Sequence, residues 1–133
     1  MRVAVEFRHE SWWTPEARQT LERHGAALCW ADRLGSPLGP LWRTADWGYL
    51  RFHEGGAQPW PRYGAQALHS WARRAAGTWP DGADVFAYFN NDQGGAALHD
   101  AAAFAAILRT EGRRVTAVPE PGEQESGEPG SAR

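Results

Sequence analysis

Short apolar runs recur along the chain, and three of them end in clusters of polar residues. These runs are VAVEFRH at residues 3–9, WGYLRFH at residues 47–53 and DVFAYFNND at residues 84–92. A fourth apolar run, Ala26 to Ala31, ends at Asp32. Each run has the length and apolar content of a buried strand. Because the carboxyl ends of parallel strands meet at one edge of a sheet, we expect the polar residues to converge on a crevice there.

Segments with helical periodicity separate these strands. Thr14 and Pro15 are typical of a helix start, with Thr as the N-cap and Pro at the first helical position, and Gly25 ends that helix. Apolar spacing predicts a second helix from Arg62 to Ala76, and an alanine-rich segment predicts a third from Ala96 to Thr110. The order of strands and helices therefore predicts an α/β protein with about four parallel strands and right-handed crossovers.

Alternation along the strands groups the charged residues. Glu6 and Arg8 share one face of their strand, and Arg51 and His53 share one face of theirs. A charged side chain in an apolar parallel strand is costly unless it is paired or lines a wet cavity. One interpretation is a structural ion pair, for example between Glu6 and Arg51. The other is a functional site, which we favour because three strands end alike.

The strand ends supply the residues of the predicted site. Glu6 and His53 are candidates for the general acid or base, and Asp92 is a third catalytic candidate. The predicted substrate-binding residues are Arg8, His9, Asp32, Arg51, Asn90, Asn91, Gly94 and Gly95. Arginines and the free N–H groups of a helix start suit an anionic group such as a phosphate. The sequence therefore predicts a small anionic substrate.

Composition excludes some catalytic mechanisms and indicates where the protein is located. All fourteen basic residues are Arg, so this chain contains neither a Schiff-base lysine nor a phosphate-loop lysine. Its single cysteine, Cys29, excludes an internal disulfide and is predicted to be a small buried apolar residue. The N-terminus lacks a signal-peptide core and no segment has membrane-spanning length, so we expect a cytoplasmic protein without a membrane partner.

The end of the chain differs from the rest. Residues 119–133 contain four Glu, one Arg and almost no apolar residue, so we expect a disordered acidic tail after a single domain at residues 1–118. The tail has a net charge of −3 and the whole chain a net charge of −2, so the domain has a net charge of +1. A nearly neutral domain lacks the clustered basic face of a typical nucleic-acid-binding protein.

The motifs VEFRHESW, YLRFH and YFNNDQGGAA, together with the stripe Leu68-x-x-Trp71-Ala72 in a helix beginning at Tyr63, resemble the YecE-like family. This family is also catalogued as domain-of-unknown-function family seventy-two, and the resemblance covers about Val3 to Leu108. It implies the C-terminal half of a TIM-type (β/α)8 barrel, truncated at the N-terminus, with helices on the outer face. The family's activity is not established, so the resemblance implies a site position but no reaction.

The truncation has its own implications. A half barrel exposes two strand edges, so we expect self-association or a missing N-terminal half as partner. We also expect Met1 to be an internal or misassigned start, or the gene to be incomplete.

Three functions stay open. The first is an enzyme that acts on a phosphorylated, sugar-like or phosphodiester substrate at the strand ends. The second is a nucleic-acid-binding or processing module in which tryptophans stack on bases, although packing over the barrel ends explains the same residues, which are Trp12, Trp13, Trp42 and Trp60. The third is a non-functional remnant. The cofactor is unknown, and no metal is predicted, because His9, Asp32, His53 and Asp92 lack a tight ligand spacing.

Overall fold

The computed structural model describes residues 1–116, which contain strands and helices in the predicted order. The predicted acidic tail at residues 119–133 and the last two residues of the predicted domain lie outside the described residues. Within residues 1–116 no helix is long and apolar enough to cross a membrane.

The strands lie close to their predicted positions. They are β1 (Ala4–Val5), β2 (Ala27–Leu28), β3 (Trp30–Arg33), β4 (Ser36–Pro37), β5 (Gly48–Glu54) and β6 (Val85–Phe89). Only Cys29 separates β2 from β3, so one extended segment covers the predicted second strand and continues to Arg33. The short strand β4 was not predicted; it turns back on β3 as an antiparallel hairpin.

The sheet is mostly parallel. β1 pairs with β2, β3 pairs with β5, and β5 pairs with β6, all in parallel. The spatial order of the parallel segments is therefore β1, then β2 and β3, then β5, then β6. Among the described residues β6 does not pair with β1, so the sheet is open and no barrel closes. The predicted α/β class with a mostly parallel sheet is thus confirmed for this part of the chain.

Three helices follow the strands, namely α1 (Pro15–Arg23), α2 (Ala65–Thr78) and α3 (Ala96–Thr110). The predicted cap of α1 is confirmed, because Thr14 Oγ1 accepts a hydrogen bond from the backbone N–H of Ala17 at 3.1 Å. Helix α2 begins three residues later than predicted. Its predicted first turn belongs to the preceding loop, where the N–H of Tyr63 donates to Oδ2 of Asp100 at 2.8 Å.

Helices α2 and α3 cover one face of the sheet. Leu50 and Phe52 of β5 pack beneath them against Trp71 and Phe104, and each of these side chains is at most 4% exposed. A smaller apolar cluster around Leu21 lies under α1. The opposite side of the strands carries Glu6, Arg51 and His53, and we call it the open face because none of these helices covers it.

Candidate functional site

The open face brings three of the predicted site residues together. Glu6 follows β1 directly, and Arg51 and His53 lie two residues apart in β5. Arg51 Nη1 donates a hydrogen bond to Glu6 Oε1 at 2.7 Å, and His53 Nε2 lies 2.8 Å from Glu6 Oε2. Both oxygens of one carboxylate are therefore engaged. We call these three residues the carboxylate cluster.

Small side chains allow this contact to cross a strand. β1 and β5 are not neighbours, because the segment of β2 and β3 lies between them, and strands two apart are about 9–10 Å from each other. On the open face this segment presents Cys29 and Ala31, and Ala31 is the direct strand partner of Arg51. Burial, together with the nearby charge of Glu6, raises the pKa of the Cys29 thiol to about 12. Glu6 and Arg51 meet above these two short side chains.

The electrostatics of the carboxylate cluster favour an ionised Glu6. Burial acts to raise the pKa of Glu6, but the hydrogen bonds and charges of His53 and Arg51 outweigh it, and the pKa lies below its usual value. Arg8 adds a second guanidinium, with Nε 3.7 Å from Glu6 Oε2 and a largely exposed side chain. Two arginines against one carboxylate leave the cluster with net positive charge.

Asn90 holds Arg51 from the other side. Arg51 Nε donates to Asn90 Oδ1 at 2.8 Å. The backbone N–H of Asn90 donates to the carbonyl of Phe52 at 2.9 Å, so the β5–β6 ladder continues to this residue. A guanidinium carries five N–H groups. Among residues 1–116 only two of those of Arg51 are paired, one with Glu6 and one with Asn90, and the side chain is 32% exposed.

A family profile described as "Protein of unknown function DUF72" matches residues 1–125. The chain belongs to the DUF72 family. This confirms the resemblance to YecE-like proteins. No curated protein matches the chain.

Solved DUF72 structures share this fold. A DUF72 family protein from Thermotoga maritima has a TM-score of 0.67 and 25% identity, over 82% of this chain and 46% of that one. A DUF72 family protein from Enterococcus faecalis has a TM-score of 0.63 and 20% identity, over 90% of this chain and 50% of that one. The chain therefore spans about half the length of the DUF72 structures it matches.

Asp32 of this DUF72 chain lies in the core and not in the carboxylate cluster. It shares the helix-facing side of β3 with Trp30, and it is 1% exposed. Its carboxylate accepts hydrogen bonds from Trp71 Nε1 at 2.7 Å and from the N–H of Gly35 at 3.0 Å. Period-two alternation from Trp30 places Asp32 on this side, opposite to Arg51. The predicted grouping of Asp32 with the other strand-end residues is corrected accordingly.

Asn91 is also buried and serves as an anchor between elements. Its Nδ2 donates to the carbonyl of Pro61 at 3.0 Å and to Oδ2 of Asp100 at 2.8 Å. Its Oδ1 is buried without a partner among residues 1–116. The neighbouring backbone, including Asn90, is thereby tied to α3 and to the loop after β5.

The remaining predicted residues lie at the surface, apart from the carboxylate cluster. His9 Nδ1 accepts from the N–H of Ser11 at 3.1 Å and caps a short 3₁₀ turn. The N–H of Gly95 donates to the carbonyl of Asp92 at 3.1 Å, so this donor at the start of α3 is used locally. Gly94 is exposed in the same turn, with a φ of 64°. No group of three or more His, Cys, Asp or Glu side chains in residues 1–116 is placed to hold a metal ion.

The tryptophans proposed for base stacking divide into two kinds. Trp13 and Trp42 pack edge to face, with ring centroids 5.7 Å apart, against the cluster under α1. Trp12 is 55% exposed although it stacks on Phe7, and Trp60 is 51% exposed. Two of the four therefore have a packing role.

Sequence reasoning missed Asp100, which is fully buried and holds both Asn91 and Tyr63. The sequence feature that indicates the burial of Asp100 is its helical spacing. Asp100 lies four residues from Ala96 and four from Phe104, both of which are buried, so it is on the inner stripe of α3. A carboxylate at such a position needs hydrogen-bond donors, which indicates a buried polar anchor.

Proposed function

We propose that the chain forms half of a (β/α)8 barrel and that the carboxylate cluster binds a small anionic substrate at the carboxyl ends of its strands. The observation that carries the proposal is one carboxylate bonded to both Arg51 and His53 on a face that the helices leave open. A purely structural pair would explain the same contacts. However, Arg51 is 32% exposed with N–H groups to spare, which favours a site for a further anion.

Charge supports the anionic class of substrate. Arg8 and Arg51 outnumber the single carboxylate of Glu6, and guanidinium groups bind phosphate and carboxylate oxygens through paired hydrogen bonds. A phosphate monoester, a sugar phosphate or a phosphodiester fits this arrangement. The enzyme proposal places the anionic group of such a substrate against Arg51 and Arg8.

His53 is the residue that we propose for proton transfer. With its lowered pKa, Glu6 stays ionised near neutral pH and is a poor proton donor there. A carboxylate that accepts from one imidazole N–H instead fixes the tautomer and leaves the other nitrogen with a lone pair that can accept a proton. Glu6 therefore orients His53, and Nδ1 of His53 takes the proton. Among the described residues Asp92 makes no hydrogen bond or ion pair with this cluster, and we assign it no step.

Binding of inorganic phosphate tests the anion site. We expect the ¹⁵N-labelled chain to bind phosphate with resonance shifts near Arg51, and Arg51→Gln to weaken binding by at least about tenfold, as for the loss of a charged hydrogen bond. The matched control is Arg73→Gln, on the exposed side of α2. Equal binding by both variants would remove the anion role of Arg51. Unfolding of Arg51→Gln alone would favour the structural ion pair.

We also propose that a second half covers the open edge of the sheet. Among residues 1–116, β6 pairs only with β5, and Val85 and Phe86 are each 38% exposed. An open groove of about 560 Å³ runs beside β6 and includes Phe104 and Leu108. Unpaired apolar edges tend to recruit a partner. Either an N-terminal half or a second copy would supply one, and sedimentation velocity over a concentration series separates a dimer from a monomer.

A further inference from the structure

An aromatic surface lies beside the carboxylate cluster. Tyr88 of β6 is the direct strand partner of Arg51, and it shares the open face with Asn90, whose side chain bonds Arg51. Tyr49 of β5 packs against Tyr88, with ring centroids 5.1 Å apart and an interplanar angle of 33°. The two rings are therefore neighbours of Arg51 on the open face.

The two tyrosines of this pair differ in exposure. Tyr49 is half-buried, whereas Tyr88 is 48% exposed. Burial and the neighbouring Tyr88 raise the pKa of Tyr49, so its hydroxyl is neutral at physiological pH. Tyr49 supports Tyr88 from one side and leaves ring surface open next to a positively charged group.

We infer that the ligand of the carboxylate cluster carries an aromatic ring attached to its anionic group, and that Tyr88 binds this ring. The inference rests on the proposed function, since it requires an anion at Arg51. Tyr88 and Arg51 are direct partners on neighbouring strands, which lie about 4.8 Å apart, and both side chains are on the open face. This spacing matches an aryl phosphate whose phosphate lies at Arg51 and whose ring lies over Tyr88. Stacked or edge-to-face aromatic contacts form at this range.

The charge distribution favours such a ligand over a purely apolar one. Arg51 and Asn90 lie next to Tyr88, so an uncharged apolar ligand would leave the free N–H groups of Arg51 unpaired. An anion without a ring would leave the exposed face of Tyr88 unused. A ring that carries an anionic group can bind the arginine and the exposed face of Tyr88 at the same time.

Phenyl phosphate, methyl phosphate and inorganic phosphate test the inference with the full chain. At about pH 8 all three are mainly dianions, so they differ chiefly in the ring. We expect phenyl phosphate to bind about five- to tenfold tighter than methyl phosphate, as one aromatic contact provides. Tyr88→Ala should remove this preference and leave methyl phosphate binding unchanged. Tyr88→Phe should keep the preference, and so should Trp12→Ala, which removes an exposed aromatic ring elsewhere.

The other outcomes overturn the inference in distinguishable ways. Equal binding of phenyl and methyl phosphate, with both lost in Arg51→Gln, would overturn the ring site and leave the anion site standing. A preference that survives Tyr88→Ala or disappears in Trp12→Ala would place the ring elsewhere. No binding of any of the three would overturn both the ring site and the proposed function. Circular dichroism of each variant verifies that it is folded.

Discussion

The Glu6 carboxylate and the Arg51 guanidinium meet at 2.7 Å although a strand runs between the two backbones that carry them. The strand between them presents Cys29 and Ala31 on that face, and these side chains are too short to separate the pair. The contact therefore depends on a third position that bonds neither residue.

A bulky residue at position 29 should break the contact. We expect Cys29→Phe to push Glu6 away from Arg51, to abolish phosphate binding, and to lower the free energy of unfolding by about 1–3 kcal/mol through overpacking. Cys29→Ala keeps the short side chain and should preserve phosphate binding. Phosphate titration and urea unfolding of both variants provide the measurement. Wild-type phosphate affinity in a folded Cys29→Phe protein would contradict this account.

Cys29 itself should be unreactive in the folded chain. Its pKa is raised to about 12 by burial and by the charge of Glu6, so at about pH 8 only roughly one molecule in ten thousand carries the thiolate. We expect iodoacetamide to label the native chain at least about a thousandfold more slowly than the urea-unfolded chain. Mass spectrometry of quenched time points measures both rates. Comparable rates would show that Cys29 is accessible and its thiol normal.

How far the sequence predicts the fold is clear from its periodic segments. The apolar run that contains Arg51 specifies β5 almost to the residue, and the cap at Thr14 specifies the start of α1, because both signals are local. The start of α2 was misplaced, since a contact with Asp100, thirty-seven residues along the chain from Tyr63, holds that segment in a loop. Contacts at such separation have no local signature.

The site was predictable where alternation was applied to each strand. Alternation placed Glu6, Arg51 and His53 on the faces from which they meet. Asp32 ends a strand as they do, but its spacing from Trp30 puts it on the other face. The role of Cys29 as a short side chain beneath the pair could not be inferred before the strand order was known.

The hydrogen bond from Trp71 to Asp32 should contribute strongly to stability. Asp32 is buried, so Asp32→Ala leaves the indole N–H of Trp71 unpaired, and we expect a loss of about 2–3 kcal/mol in the free energy of unfolding. Asp92→Ala, at an exposed position, should change it by less than about 0.5 kcal/mol. Urea unfolding followed by tryptophan fluorescence compares them. Phosphate binding that is lost in a folded Asp32→Ala protein would restore Asp32 to the site.

Replacement by alanine should change the free energy of unfolding in opposite directions at two glycines. A Cβ at Gly48 would lie 2.8 Å from the ring of Trp79, which is buried. Gly48→Ala should therefore lower the free energy of unfolding by about 1–3 kcal/mol. A Cβ at Gly77 meets nothing within 4 Å, and Gly77 lies within α2, so Gly77→Ala should stabilise by about 0.5–1 kcal/mol. Thermal unfolding of the two variants tests the packing of β5 against Trp79, the residue that follows α2. The same sign for both variants would contradict it.

Glu6 should make the stability of the fold depend on pH. The bonds from His53 and Arg51 overcome the opposing effect of burial and hold the pKa of Glu6 below its usual value, so the folded state binds a proton at Glu6 less readily than the unfolded state. The stability that this provides is complete above the ordinary glutamate pKa of about 4.3, and it is lost as the pH falls through the lower pKa of the folded state.

We expect Glu6→Gln to unfold more easily than wild type by about 1–2 kcal/mol at about pH 7, with the difference shrinking below about pH 4. Glu10→Gln, at an exposed position, should show no such pH dependence. Urea unfolding at several values from about pH 3 to 7 measures all three proteins, and a gap between wild type and Glu6→Gln that stays constant over that range would show that Glu6 titrates normally and is not held by Arg51 and His53.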